Sequence, residues 1–203
     1  MDGTLVDNME LIVRSVNFAV KDILGKEFSR KELYRLFGGT LEQIITDLVP
    51  AKDRGKAVHC YHEYYREHFK ELATIYEGIP TLLDQLENAK IGIAICTGSD
   101  GRMTKNTLEL SGLQEFFPIV VTADDVSEAK PDPEGLIRVL KLLRATRERS
   151  MYLGDAVRDI KAAKRASMRS AAALWGFGDP AALRTSEPDF AFKTPLEALR
   201  ELV

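Results

Sequence analysis

Met1-Asp2-Gly3-Thr4-Leu5-Val6-Asp7-Asn8 opens the chain. Asp2-Gly3-Thr4 is a tight polar turn of the kind that closes a buried strand, but the sequence as written holds no strand ahead of it. Asp7-Asn8-Met9-Glu10 follows and has the spacing of a capping box, with Asp7 as cap and Glu10 reaching back. Leu11, Ile12, Val16 and Val20 then recur at helical spacing. The run therefore reads as a turn at the end of a sheet position, leading straight into a helix.

Outward from there, residues 9–73 are helical in pattern. Gly25 closes the first helix, Ser29 starts a second, and Gly38-Gly39 stops it. Thr40 with Gln43 begins a third that runs toward Pro50. Val58, Tyr61, Tyr65, Phe69 and Leu72 set one face of a long fourth. After Gly78-Ile79-Pro80 the rhythm changes. Strands are expected at 90–96, 119–121, 151–153, 170–174 and 190–192, and helices at 81–88, 103–111, 133–143, 156–166 and 195–202. For the 133–143 helix, Asp132 is the expected cap and Pro133 the first residue. Such alternation predicts a parallel sheet covered by helices on both faces. The expected fold is α/β and Rossmann-like, with a core of residues 1–7 and 78–203 and a helical insertion, 8–77, carrying its own small core.

Bulk properties narrow the function. The chain has 203 residues, 45% hydrophobic and 29% charged, with a formal net charge of −3. These values suit a globular domain and give no basic footprint for nucleic acid. No apolar run approaches the ~20 residues of a membrane helix. Cys60 and Cys96 are isolated, which fits reduced thiols and a cytoplasmic location.

In parallel α/β folds ligands gather at the carboxyl ends of the strands. Four stretches fall there. Thr97-Gly98-Ser99 offers a hydroxyl, a glycine that admits a ligand close to the backbone, and a following helix start whose N–H groups suit an anion. Lys130 could hold a phosphate and a neighbouring carboxylate. Asp155 and Asp159, four apart at a strand end and in the first helical turn, face one spot and suit a hard cation. Asp124-Asp125 reads better as a cap or loop. Each stretch alone also reads as an ordinary helix start. His59, His62 and His68 on the fourth helix read as a solvated face, since no further ligand of suitable spacing stands near them. Trp175 reads as a core or rim aromatic, and 144–149 as a charged loop.

Taken in order, the sequences at 2–7, 95–99, 130–133 and 153–159 resemble the four motifs of the haloacid dehalogenase superfamily of hydrolases. The resemblance covers essentially the whole chain. The ending at 173–180 with Glu187-Pro188-Asp189-Phe190 is similar to the phosphoglycolate phosphatase-like branch, and the helical insertion to a C1-type cap. The resemblance implies a Mg²⁺-dependent phosphatase of small phosphorylated metabolites acting through a phospho-aspartate, with no nucleic-acid or membrane partner. Asp2 matches the acid/base aspartate, whose backbone carbonyl also binds Mg²⁺. Thr97 and Gly98 match the phosphate-binding motif, and Lys130 the lysine that neutralises the transferring group. Asp155 and Asp159 match the metal motif. The family's nucleophile lies two residues before Asp2 and has no counterpart in the written sequence, nor has the central strand that carries it. A start placed too far downstream is the expectation. Other readings are an inactive binding module, a phosphomutase, and a 2-haloacid dehalogenase, although family dehalogenases lack an equivalent of Asp2. Gly38-Gly39-Thr40 is the part of the cap expected to close over the site. The substrate and the oligomeric state do not follow from the sequence.

Overall fold

The computed structural model describes residues 1–36 and 39–202. Gly38, part of the loop expected to stop the second helix and close over the site, lies outside them. A short antiparallel pair, β1 (Val6–Asp7) with β2 (Thr74–Ile75), brackets four helices: α1 (Met9–Leu24), α2 (Arg30–Leu36), α3 (Leu41–Leu48) and α4 (Arg54–Leu72). α1 and α3 both pack on α4.

Local chemistry explains most of the boundaries. Gly25 ends α1 in the left-handed region. Ser29 and Glu32 cap α2 reciprocally, and Thr40 accepts the Gln43 N–H at the start of α3. The capping box expected from Asp7 and Glu10 does not form. Asp7 is spent in β1, opposite Thr74. Asn8 takes the cap position with its side chain turned elsewhere, and Glu10 pairs with Arg14.

The remainder alternates: α5 (Ile79–Asn88), β3 (Ile95–Cys96), α6 (Gly101–Ser111), β4 (Val120–Val121), α7 (Glu134–Leu143), β5 (Met151–Gly154), α8 (Val157–Arg165), β6 (Arg169–Ala173), α9 (Pro180–Thr185), β7 (Phe190–Phe192) and α10 (Pro195–Leu202). Among these, α9 was not expected from the sequence; Asp179 caps it. Pro133 precedes α7 instead of opening it, and Asp132 accepts the N–H of Glu134.

β3 pairs with β4, and β5 with β6 and β6 with β7, all parallel. Alternate residues of a strand face opposite sides, and both sides are covered. Ile95 joins the cluster of α5 and α6, while Cys96 joins that of α7. Ala172 packs against α8 and α9 through Ile160 and Leu183, and Ala171 against Ala198 of α10. The two parallel pieces share no ladder among the described residues. Across that gap, the Tyr152 hydroxyl on β5 donates to the Cys96 carbonyl on β3 at 2.7 Å.

The four helices do not keep the separate core expected from the sequence. Val16, Tyr61 and Tyr65 belong to one apolar cluster with Ile79, Ile95 and Met103. The helical segment and the sheet thus bury their apolar faces against each other, which orients one on the other.

Candidate active site

One cleft, enclosing about 90 Å³, lies where the first turn, the ends of β3 and β5, and the α2–α3 region meet. Asp2, Thr97, Gly98, Lys130, Asp155 and Asp159, all marked out by the sequence, line it together.

The turn at Asp2 is closed by the Met1 carbonyl, which accepts the N–H groups of Thr4, Leu5 and Val6. Gly3 sits at φ 71°, a conformation that favours glycine. It also lies against Asp155, so that a Cβ on Gly3 would collide with that carboxylate. The turn aims the Asp2 side chain at two donors: Asn8 Nδ2 at 2.6 Å and Ser99 Oγ at 2.8 Å. Asn8 is fully buried and in turn donates to the Tyr65 hydroxyl at 2.7 Å. Ser99 belongs to the candidate stretch 97–99, but the sequence gives neither it nor Asn8 this role, because a polar residue beside a turn or a helix start has many ordinary uses.

Asp155 and Asp159 are 7% and 4% exposed. The Asp155 oxygens accept the Thr4 hydroxyl at 3.0 Å and the Phe177 N–H at 2.9 Å. Burial, and then the Asp159 charge, push the Asp155 carboxyl above its usual range. Asp159 goes the other way. Burial alone would raise it, but Lys130 Nζ at 2.7 Å holds it ionised and low. Lys130 is itself largely buried, which works against its charge; the Asp159 carboxylate outweighs this and keeps the ammonium protonated. Tyr152 takes a second Lys130 hydrogen bond at 2.7 Å. The signal for Tyr152 was its place two residues before Gly154 on β5, which puts both on one face.

Thr97 Oγ1 accepts the Ser99 N–H at 3.2 Å, and the space beside Gly98 is open. The following helix does not offer its N-terminus to an anion, contrary to expectation. Asp100 accepts the Met103 N–H and Asp124 the Gly101 N–H, so α6 is already capped. That observation also gives Asp124 its role, while Asp125 caps the turn at Thr122. Trp175 ties the C-terminal part to the first turn by donating to the Thr4 carbonyl at 3.0 Å.

The donor set suits a hard divalent cation: carboxylate oxygens, one of them destabilised as an anion by burial, beside a backbone turn. Each Asp155 oxygen accepts one hydrogen bond in the structure and keeps a further lone pair.

A parallel α/β core, a helical segment over its strand ends, and carboxylates facing a lysine and a threonine define a hydrolase of the phosphate-handling type. The family model described as haloacid dehalogenase-like hydrolase matches residues 1–173, and the chain belongs to that family. It is 34% identical over 193 residues to the pyrophosphatase PpaX of Listeria welshimeri, covering 94% of this chain and 88% of that protein. The PpaX of Bacillus mycoides is 30% identical with the same coverage. Among solved structures, a protein described as a predicted phosphoglycolate phosphatase from Haemophilus somnus superposes with a TM-score of 0.89 at 20% identity, covering all of this chain and 95% of that one. CbbY from Rhodobacter sphaeroides, in complex with phosphate, superposes with a TM-score of 0.82 at 21% identity, over 97% of this chain and 92% of that one.

Proposed function

We propose that the protein is a Mg²⁺-dependent phosphatase of small phosphorylated metabolites. The supporting observation is convergence: Asp2, Thr97, Lys130, Asp155 and Asp159 come from four distant stretches and line one cleft. In this reading Asp155, the Asp2 carbonyl and Asp159 would hold Mg²⁺, which would supply charge neutralisation for the phosphoryl group. Thr97 and the backbone at Gly98 bind the phosphoryl oxygens, and Lys130 sets the field around them. Asp2, held by Asn8 and Ser99 as a hydrogen-bond acceptor, moves the proton of the leaving group. Residues 8–77 act as the cap, with Gly39 and Leu41 at the cleft as its contribution to substrate choice. In this reading hydrolysis proceeds through a phospho-aspartate.

The 34% identity to pyrophosphatases favours a second reading, in which the scissile bond is a phosphoanhydride. Phosphate release should therefore be followed from a panel of small monoesters and from inorganic pyrophosphate, with and without Mg²⁺. Both the chain starting at Met1 and a version extended upstream in its source should be assayed. Mg²⁺-dependent release by the extended chain, abolished by Asp155→Asn, is expected. No release from any substrate by either chain would favour the binding-module reading instead.

A further inference from the structure

His62 on α4 was expected to be solvated, yet it is fully buried. Its Nε2 meets Glu42 Oε1 of α3 at 2.5 Å, and its Nδ1 has no hydrogen-bond partner. Asp100, 6% exposed, stands against the same place from the start of α6. Its Oδ1 caps α6, but its Oδ2 is buried without a partner. Glu42, His62 and Asp100 each bring a ligand atom within 4.8 Å of the other two.

Two orphaned polar atoms in one buried cluster each carry a desolvation cost and call for an explanation. Burial, with Glu42 adding to it, holds the Asp100 carboxyl above its usual range. A cation bound by one imidazole nitrogen, Glu42 and Asp100 gives the buried Asp100 carboxyl a partner and accounts for the convergence of the three groups. Ligands of a tetrahedral site with bonds of about 2.0–2.1 Å stand about 3.4 Å apart, so side-chain rotation would open the His62–Glu42 pair and bring Asp100 in. Mg²⁺ favours all-oxygen shells; an imidazole with two carboxylates favours a zinc-like ion. Three protein ligands leave a position for water.

We propose that Glu42, His62 and Asp100 form a second metal site, for a first-row divalent ion of the zinc class, separate from the Asp155 cleft. The ion pins α3 and α4 to the start of α6. Asp100 follows Ser99, the residue that donates to Asp2, so the site couples helical-segment docking to the geometry of the cleft. None of this depends on which phosphate compound is hydrolysed.

The test is Zn²⁺ titration by calorimetry in excess Mg²⁺, on the wild type and on Asp155→Asn, Glu42→Gln and Asp100→Asn. Asparagine keeps the α6 cap, and Glu42 is partly exposed, so these variants should fold; circular dichroism checks this. One Zn²⁺ per chain is expected in the wild type and in Asp155→Asn, with affinity falling more than about tenfold in the other two. Co²⁺ in place of Zn²⁺ should give a visible absorption band that is lost in His62→Gln. Zn²⁺ binding that vanishes in Asp155→Asn, or that survives unchanged in both Glu42→Gln and Asp100→Asn, overturns the proposal, as does no binding at all.

Discussion

At the scale of single residues, the Lys130–Asp159 pair decides most. Both side chains are largely out of water and 2.7 Å apart. Breaking such a pair from one side strands a buried charge, at about 3–5 kcal/mol. Lys130→Met should therefore lower stability by about that amount in urea unfolding. The double variant Lys130→Met/Asp159→Asn should recover part of the loss, because no net charge is then stranded. Phosphatase activity should recover in neither. Gly176 gives a second prediction of steric origin. A Cβ there would collide with the Gly3 carbonyl and the Asp155 side chain. Gly176→Ala should weaken Mg²⁺-dependent stabilisation, read as a smaller rise in melting temperature on adding Mg²⁺ than the wild type shows. The carboxylates and the lysine were legible only through the order of the four stretches that resemble a family pattern, since each alone also reads as an ordinary helix start. Nothing local to Gly176 marks it, since a glycine's reason for being small lies in what approaches it from elsewhere in the chain.

At the scale of elements, the sequence specifies a boundary wherever that boundary has a local cause. Thr40 with Gln43, Ser29 at the start of α2, and Gly25 all act as the sequence predicts. It misleads where a distant partner decides. Asp7 carries a good capping pattern, but the pairing of β1 with β2, nearly seventy residues on, claims its backbone. Two strands are also shorter than expected: 90–96 yields only Ile95–Cys96 and 119–121 only Val120–Val121. Asp189 shows how a loop side chain can fasten a strand. Its Oδ2 accepts both the N–H and the hydroxyl of Ser170 at 2.7 Å, tying the approach to β7 against β6. Those bonds hold the Asp189 carboxyl below its usual range. A carboxyl depressed by folding contributes stability above its unfolded value of about 3.9, and the contribution is lost as the pH falls through the folded value. Asp189→Asn should therefore flatten the acid limb of the melting curve below about pH 4, with little change in slope near neutrality. An unchanged acid limb would show that these bonds do not couple to folding.

At the scale of the whole molecule, what the sequence hid is how the helical segment is joined to the sheet. Glu42, His62 and Asp100 lie 20 and 38 positions apart along the chain, so no spacing rule for ligands could gather them. The same holds for the chain of contacts from α6 to the first turn. Thr107 meets the Tyr65 hydroxyl at 3.0 Å, Tyr65 receives Asn8 Nδ2, and Asn8 also holds Asp2. Tyr65 looked like an apolar stripe residue, and by burial it is one. Its hydroxyl nevertheless relays the position of α4 to the acid/base candidate. Tyr65→Phe removes one oxygen and leaves Thr107 and Asn8 each short of a partner, at about 1–3 kcal/mol of stability. Asp2 keeps its Ser99 bond but loses the second constraint on Asn8, so its aim should loosen without the cleft changing shape. A loss of about 1 kcal/mol at the reacting proton corresponds to about fivefold in rate. Tyr65→Phe should therefore lower kcat about fivefold while leaving KM within about twofold, since no substrate-binding group has moved. A rise in KM with unchanged kcat would place Tyr65 in substrate choice by the cap instead, and would mean that the Asn8 bridge does not carry α4's position to Asp2.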